Sequence, residues 1–264
     1  MAKTLLEQLG PWREQIDALD QQILTLLNQR AHAALEIGKI KESLNANDSI
    51  LKPEREAQII THLQSMNSGP ITDASVKAVW AEVISACRGL ERQLRVAFLG
   101  PQGSFSEQAA LEHFGHFVQP VACQNFDEVF RLVEVGEADV GMVPVENSTE
   151  GAVNRTLDLL LNSSLKVLGE RSLAIHHNIL TQQGTLDGIS RIMAHPQALA
   201  QCQNWLARHY PQIQQDAASS NAEAARIAAS DPTVAAIAGL QAGEHWRLQV
   251  AHASIQDDAQ NRTR

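Results

Sequence analysis

One apolar stripe in the first 44 residues restricts what this part of the chain can fold into. Its members recur in steps of four and three residues, which is the period of a helix packed along its length. They are Trp12, Ile16, Leu19, Ile23, Leu26, Ala33, Ile37, Ile40 and Leu44. A helix from Leu5 to Leu44 would be about 60 Å long at about 1.5 Å per residue. This exceeds the width of a small domain, so the pattern predicts an intertwined homodimer in which a second chain covers the stripe.

Two shorter helical stretches follow the stripe. Pro53 opens "PEREAQIITHLQ" at a position where proline suits the first turn of a helix. After the break "NSGPIT", apolar residues again step by four and three, at Val76, Trp80, Val83, Cys87, Leu90 and Leu94. Residues 1–94 are therefore predicted to form an all-α domain of three helices.

The period changes in residues 95–264, where short β-branched runs alternate with amphipathic helices. The runs include "VAFLG", "ADVGMVPV", "SLAIHHNILT", "ISRIMA", "VAAIAG" and "LQVAHASI". Such alternation predicts an α/β domain built on a mostly parallel sheet. Ligands of these sheets bind beyond the carboxyl ends of strands. Polar segments stand at several such junctions: "GPQGSFSEQ", "ENSTEG", "HPQALAQC" and "ASSNAEAA".

The composition excludes several classes of protein. A net charge of −9 argues against a nucleic-acid partner, and an anionic substrate would need locally gathered cations. No apolar run is long enough for a membrane span, and the start of the chain lacks the apolar core of a secretion signal. Cys87, Cys123 and Cys202 lack metal-ligand or redox spacing, which suits the cytoplasm. Without a Walker loop or G-x-G-x-x-G, neither a nucleotide nor another cofactor is expected.

Arg30 interrupts the apolar stripe and needs an anionic partner, because an unpaired buried charge is costly. Lys41 lies about three helical turns further on and points the same way. One interpretation is a salt bridge from this stripe to Glu56 or Glu91, and the other is a pocket for a small dicarboxylate. Arg13 faces another side of the helix, so a second chain would have to supply it to the same ligand.

These residues carry a resemblance to a known family. "WREQIDALDQQILTLLNQRAHAALEIGKIK", followed by "PEREAQII", resembles the all-helical chorismate mutases over residues 5–94. The resemblance implies that Arg30, Lys41 and Arg55 hold the substrate carboxylates and ether oxygen, and that Glu56 holds the ring hydroxyl. Arg13 would come from the partner chain of a homodimer. Cys87 and Glu91 fall where the family has a small polar residue and a Gln or Glu.

The α/β half resembles prephenate dehydratase. The matching segments are "VAFLGPQGSFSEQAA", "VPVENSTEGAVNRTLDLL", "HPQALAQCQNWL", "AAIAG" and "IQDDAQNRTR". The resemblance implies a two-lobed fold like that of periplasmic binding proteins, with prephenate in the cleft between the lobes. Thr263 would help the ring hydroxyl to leave, and Arg264 would bind a carboxylate. The other implied substrate-binding residues are Ser104, Asn147, Ser148, Thr149, Ser219, Ser220 and Asn221.

Structural roles compete with these functional ones. Ser, Thr and Asn at helix starts are ordinary caps, and Ser219 or Ser220 alone has that explanation. His195 before Pro196 has the chemistry of a general base, but a structural histidine at the end of a strand is favoured. Asp257 and Asp258 are adjacent and should diverge, which favours a loop over a paired-carboxylate site.

The two resemblances together imply a bifunctional enzyme of phenylalanine biosynthesis, in which chorismate becomes prephenate and then phenylpyruvate. The sequence stops one residue short of the family's Asn-x-Thr-Arg-Phe, so we expect Thr263 in a frayed end and no phenylalanine-binding ACT domain. Two alternatives stay open. One is an active mutase with an inactive, truncated dehydratase half, and the other is a small-anion binding module.

Overall fold

The computed structural model describes residues 5–44 and 51–264 and divides the chain into two compact units. The first, the helical unit, comprises the residues up to Leu94 together with Gly115–Val118. The second, the α/β unit, comprises Arg95–Phe114 and Gln119–Arg264. Residues 1–4 lie outside the described residues. They belong to the segment for which the sequence analysis predicts no secretion signal.

Three helices form the described part of the helical unit: α1 (Leu5–Ser43), α2 (Pro53–Met66) and α3 (Asp73–Glu91). Pro53 occupies the first turn of α2, where its missing N–H costs nothing. Thr72 caps α3 because its side chain accepts a hydrogen bond from the backbone N–H of Ser75. Both α1 and α2 pack against α3.

The apolar stripe of α1 is exposed within the described chain. Trp12 and Ile23 keep 66% and 53% of their surface accessible, although both are large and apolar. The same holds for Ile16, Leu19, Leu26, Ile37, Ile40 and Leu44. Contiguous apolar surface of this extent marks an interaction site in most proteins.

The α/β unit alternates short strands and helices. In chain order these are β1 (Leu94–Leu99), α4 (Phe105–Phe114), β2 (Val118–Cys123), α5 (Phe126–Glu134), β3 (Val140–Met142), β4 (Glu146–Asn147), β5 (Gly151–Ala152), α6 (Asn154–Asn162), β6 (Leu173–Ala174), β7 (Asn178–Thr181), β8 (Arg191–Ala194), α7 (Pro196–Gln201), α8 (Gln203–His209), β9 (Gln214–Ala217), α9 (Asn221–Ser230), β10 (Val234–Ala238), α10 (Leu240–Trp246), β11 (Gln249–His252) and β12 (Arg262–Thr263).

These strands form three sheets, with the orders β2-β1-β3, β11-β7-β10-β8-β9 and β5-β4-β12-β6. The central strand β10 is buried along its whole length, and apolar clusters cover both faces of the sheet around it. Cluster members such as Ile179 and Leu206 are fully buried, so this five-stranded sheet holds the main core of the unit.

The expectation of a mostly parallel sheet is wrong for the described strands. The pairs β1–β3, β8–β10 and β8–β9 are parallel. Strands β10 and β11 pair with β7 in the antiparallel sense, and so do all pairs of the four-stranded sheet. Apolar periodicity reports which side chains are buried but not the direction from which a strand enters a sheet.

Candidate functional site

A cavity of about 850 Å³ in the α/β unit, called the cleft below, collects polar residues from distant parts of the chain. It lies beyond the end of β1 and against the first residues of α4 and α9. Six of the residues predicted from sequence line it: Ser104, Asn147, Ser219, Ser220, Asn221 and Thr263. The strand-to-helix junctions were therefore informative about which residues come together.

Ser104 and Ser220 reach the cleft because each caps a helix. The Oγ of Ser104 accepts from the Glu107 backbone N–H at 3.3 Å, and the Oγ of Ser220 accepts from that of Glu223 at 3.0 Å. Ser104 also donates to the carbonyl of Leu99 at 3.0 Å. The capping role and the position in the cleft thus coincide.

The polar turn after β4 is organised by the side chain of Asn147. Its Oδ1 accepts from the backbone N–H groups of Thr149 at 2.9 Å and Glu150 at 3.2 Å. Its Nδ2 donates to Thr263 Oγ1 at 2.8 Å and to Asn261 Oδ1 at 3.0 Å. These four bonds use the full hydrogen-bonding capacity of one amide side chain.

Thr263 lies inside a sheet rather than in a frayed end. Strand β12 pairs with β4 on one side and with β6 on the other, which places Thr263 opposite Asn147 and Leu173. The expectation of fraying was wrong because proximity to a chain end does not reveal backbone pairing. The pairing fixes the Thr263 hydroxyl in the cleft.

Three predicted residues lie outside the lining of the cleft. The Ser148 hydroxyl accepts from the Arg262 N–H at 2.9 Å, and Thr149 is exposed and supplies its backbone N–H to Asn147. Arg264 forms ion pairs with Glu146 at 3.1 Å and Glu170 at 3.9 Å. It lines a second, mainly apolar cavity of about 590 Å³, because alternate residues of β12 point to opposite sides.

Sequence reasoning missed His177, Gln201 and Asn261, which join Asn147 in one network. Asn261 is buried, and its Nδ2 donates to Gln201 Oε1 at 3.1 Å. The Nε2 of His177 lies 2.8 Å from the same oxygen. His177 and Gln201 line the cleft. The sequence signals were polar residues inside an apolar strand pattern, "LAIHHNIL", the Gln at the end of the short helix in "HPQALAQC", and the Asn that opens "NRTR".

Burial lowers the pKa of His177, and the hydrogen bond with Gln201 opposes this shift only in part. His176 next to it lowers this pKa further. The ring of His177 also meets the Phe105 ring edge-on, with 5.6 Å between the ring centroids. The imidazole is therefore held neutral at neutral pH.

The cleft contains no lysine or arginine among its described lining residues, and its acidic side chains are Glu150 and Glu223. The expectation of gathered cations is thus wrong for this cleft. Instead, α4 and α9 begin at its wall, and N-terminal backbone N–H groups with the helix dipole favour anions. Neutral donors replace the expected charges.

Three polar residues that were weighed between functional and structural roles make structural contacts, and a general-base role of His195 stays untested. The Nδ1 of His195 accepts from the Gln197 N–H at 3.4 Å and so caps α7, while the ring lines the cleft. The Asp257 carboxylate accepts from the N–H groups of Asn204 and Trp205, both at 3.0 Å, and so caps α8. Asp258 accepts from the Gln260 N–H, which separates it from Asp257.

The mutase residues predicted from sequence lie in two groups within the helical unit. Lys41 Nζ is 3.6 Å from Glu91 Oε2, and Glu56 Oε1 is 2.6 Å from Nη1 of Arg88, a buried arginine that the sequence analysis missed. Cys87, which immediately precedes Arg88 in the chain, is also buried. Arg13 and Arg55 are exposed.

Arg30 is half-buried, and within residues 5–44 and 51–264 it forms no ion pair. The interpretation of Arg30 as a salt-bridge partner of Glu56 or Glu91 is therefore wrong for the described chain. Both carboxylates are held by other cations.

Two kinds of feature are absent from residues 5–44 and 51–264. No group of three or more His, Cys, Asp and Glu side chains is arranged to hold a metal ion. No helix in that part of the chain is long and apolar enough to cross a membrane.

We predict that His177 makes the α/β unit less stable as the pH falls. The folded state holds His177 with a lowered pKa, so below about pH 6.5 the unfolded state binds a proton that the folded state resists. Stability is thus present above that pH and is lost below it, by up to about 1.4 kcal/mol per pH unit. Denaturant unfolding of the unmodified chain and of a His177→Gln variant, from about pH 8 to about pH 5, measures this contribution.

The stability difference between the two chains should shrink or reverse on acidification. A difference that stays constant across the pH range would show that His177 does not titrate with the expected sign.

Two family profiles match the chain. The profile described as "Chorismate mutase type II" matches residues 12–92, and the profile described as "Prephenate dehydratase" matches residues 96–264. The "Bifunctional chorismate mutase/prephenate dehydratase" of Neisseria gonorrhoeae is 46% identical over 267 residues, which cover 100% of this chain and 73% of that relative.

Two solved structures resemble the α/β half. A prephenate dehydratase from Arthrobacter aurescens, in complex with L-Phe, is 33% identical with a TM-score of 0.59, and the match covers 64% of this chain and 59% of that one. A protein titled "GqqA- a novel type of quorum quenching acylases" is 27% identical with a TM-score of 0.58, over 64% of this chain and 61% of that one. The fold thus carries more than one named activity.

Proposed function

We propose that each half of this chain catalyses one reaction. The chain belongs to the family of bifunctional chorismate mutase/prephenate dehydratases. The helical domain, residues 1–94, rearranges chorismate to prephenate. The α/β domain, residues 95–264, converts prephenate to phenylpyruvate. The observation that carries this proposal is the placement of Thr263 against Asn147 in a cleft that is lined by hydrogen-bond donors.

The mutase reaction needs only positioning and charge stabilisation. The rearrangement is intramolecular, so catalysis consists of holding the compact conformer and placing cations where the breaking C–O bond gathers negative charge. Arg30 supports this role because it is half-buried and lacks a carboxylate partner in the described chain. Lys41 and Arg55 would hold the carboxylates and ether oxygen, Glu56 the ring hydroxyl, and Cys87 and Glu91 the remaining wall.

A homodimer would complete the mutase site. The exposed stripe of α1 supports a second copy of this helix as its cover, since a helix of 39 residues is about 58 Å long. Arg13, exposed on α1, would then enter the partner's site. The helical unit would thus be dimeric through the surface that its own chain leaves uncovered.

The dehydratase reaction breaks two bonds of prephenate. The C–C bond to the ring carboxylate breaks, its electron pair aromatises the ring, and carbon dioxide leaves. The ring hydroxyl departs as hydroxide and takes a proton from solvent to become water. Thr263 would donate a hydrogen bond to this leaving oxygen, and the starts of α4 and α9, with Ser104, Ser220 and Asn221, would hold the carboxylates.

We place the cleft between the two lobes of a fold like that of periplasmic binding proteins. One lobe would be built on the sheet β2-β1-β3 and the other on β11-β7-β10-β8-β9. The three cysteines are free, which suits a reducing compartment, and we assign the chain to the cytoplasm. Neither reaction requires a cofactor.

We predict that two substitutions separate the two activities. Arg30→Ala should lower chorismate turnover about 100-fold or more, because a cation that stabilises the transition state is lost. Thr263→Ala should lower prephenate turnover by about the same factor, because the leaving oxygen loses its donor. Each variant serves as the control for the other in assays with chorismate and with prephenate.

Each variant should keep the other reaction. Prephenate turnover that survives Thr263→Ala would remove its catalytic role. Prephenate that binds to the unmodified chain without turning over would favour a binding module or an inactive second half.

We predict that Arg13 acts across the dimer. Arg13→Ala and Arg30→Ala chains should each be poor mutases, whereas co-expression should recover about a quarter of the unmodified activity. Random pairing makes half of the dimers mixed, and each mixed dimer holds one site with both arginines. Mutase activity of the purified mixture, compared with each parent, measures this recovery. A mixture no more active than its parents would contradict the exchange of Arg13.

A further inference from the structure

The orientation of Asn147 is set by the backbone and by nothing else. Backbone N–H groups can only donate, so the Asn147 side-chain atom that faces Thr149 and Glu150 must be the oxygen. The amide nitrogen is therefore on the other side, where it donates to Asn261 and Thr263.

The orientation of the Asn261 amide follows from that of Asn147. Its Oδ1 receives hydrogens from Asn147 at 3.0 Å and from the Ser148 hydroxyl at 3.5 Å. Its Nδ2 must then face Gln201, and the atom that it meets at 3.1 Å is Oε1. Asn261 keeps only 3% of its surface exposed, so water does not compete for these groups.

Gln201 completes the series. Its Oε1 accepts from Asn261, and because that oxygen carries no hydrogen, the His177 nitrogen at 2.8 Å must be protonated and donate. The Nε2 of Gln201 and the Nδ1 of His177 have no partner among the described residues, although both atoms are buried. Both residues line the cleft.

Thr263 is constrained in the same way by the first member of the series. Its Oγ1 accepts a hydrogen from Asn147 at 2.8 Å, which leaves the hydroxyl hydrogen for another acceptor. No described residue accepts it. The Thr263 hydroxyl and the Gln201 amide are thus both left with hydrogens to donate.

We propose that this series of hydrogen bonds, which runs from the backbone of Thr149 and Glu150 to His177, fixes Thr263 and Gln201 as donors to oxygen atoms of a substrate in the cleft. Asn261 and His177 are positioning residues that act through Gln201. The inference rests on the proposed dehydratase function. Donors that are aimed before the substrate arrives need no reorganisation during the reaction, which is where such groups have their largest effect.

The test is Asn261→Asp, which replaces the donor Nδ2 of Asn261 with an acceptor oxygen and keeps the shape of the side chain. A carboxylate cannot donate to Gln201 Oε1, so the amide of Gln201 turns and gives its hydrogens to the new side chain. Prephenate turnover at about pH 8 should fall about 100-fold, the cost of one lost donor to a substrate oxygen. At about pH 5 the loss should shrink relative to the unmodified chain, since a protonated carboxyl can donate where Nδ2 did.

Asn178→Asp is the matched control. Asn178 keeps 2% of its surface exposed and lies one residue from His177, but its side chain bonds to Ala238 and Ser254 and takes no part in the series. This variant should be less stable than the unmodified chain. Its prephenate turnover should not show a loss at about pH 8 that shrinks at about pH 5. Chorismate turnover by the same molecules reports whether the helical half is intact.

A second pair keeps the inference testable if the Asn261→Asp chain does not fold. His177→Gln retains an N–H that can reach Gln201 Oε1, whereas His177→Leu does not. Prephenate turnover should survive better in the glutamine variant than in the leucine variant. Equal turnover in this pair, or an Asn261→Asp loss that does not change with pH, would overturn the inference while the unmodified chain stays active. An unmodified chain that does not turn over prephenate would instead overturn the dehydratase function itself.

Discussion

The hydrogen bonds of the Asn147 side chain hold the α/β unit together at its functional end. One amide ties the turn after β4 to Thr263, which is 116 residues further along the chain. Backbone hydrogen bonds pair β4 with β12, and β12 in turn pairs with β6, so the turn, the residues around Thr263 and the cleft wall are tied together. The polar segment between a buried strand and a helix therefore serves both structure and ligand. Its backbone N–H groups orient an amide that in turn orients the site.

The two halves of this negatively charged chain would attract anionic substrates by different means. Both proposed substrates are anions, and the net charge of −9 would repel them. The proposed mutase site uses cations, of which Arg30 lies half-buried in an otherwise apolar stripe. The cleft of the α/β unit uses helix N-termini and neutral side chains, with the pKa of His177 lowered by burial so that the ring remains neutral.

Periodicity predicted the parts of this structure that depend on local pattern. The bounds expected for the first helix differ from those of α1 by one residue at its end, because the alternating steps reflect which face is apolar. Strand-to-helix junctions located Ser104 and Ser220 in the cleft, since each of these cleft residues also caps a helix, whereas Asn147 reaches the cleft from strand β4. Strand direction was not predictable, because the same alternation of buried and exposed residues fits either sense. Asn261 and Gln201 are 60 residues apart and were missed because only the folded chain brings them into contact.

We propose that one chain performs two consecutive reactions, in which the α/β half consumes the product of the helical half. The most direct measurement is to give chorismate to the purified, unmodified chain and to follow prephenate and phenylpyruvate separately over time. We expect prephenate to rise first and phenylpyruvate to follow as prephenate is consumed. Prephenate that accumulates without phenylpyruvate would contradict the role of the cleft around Asn147 and Thr263, and unconsumed chorismate would contradict the role of Arg30.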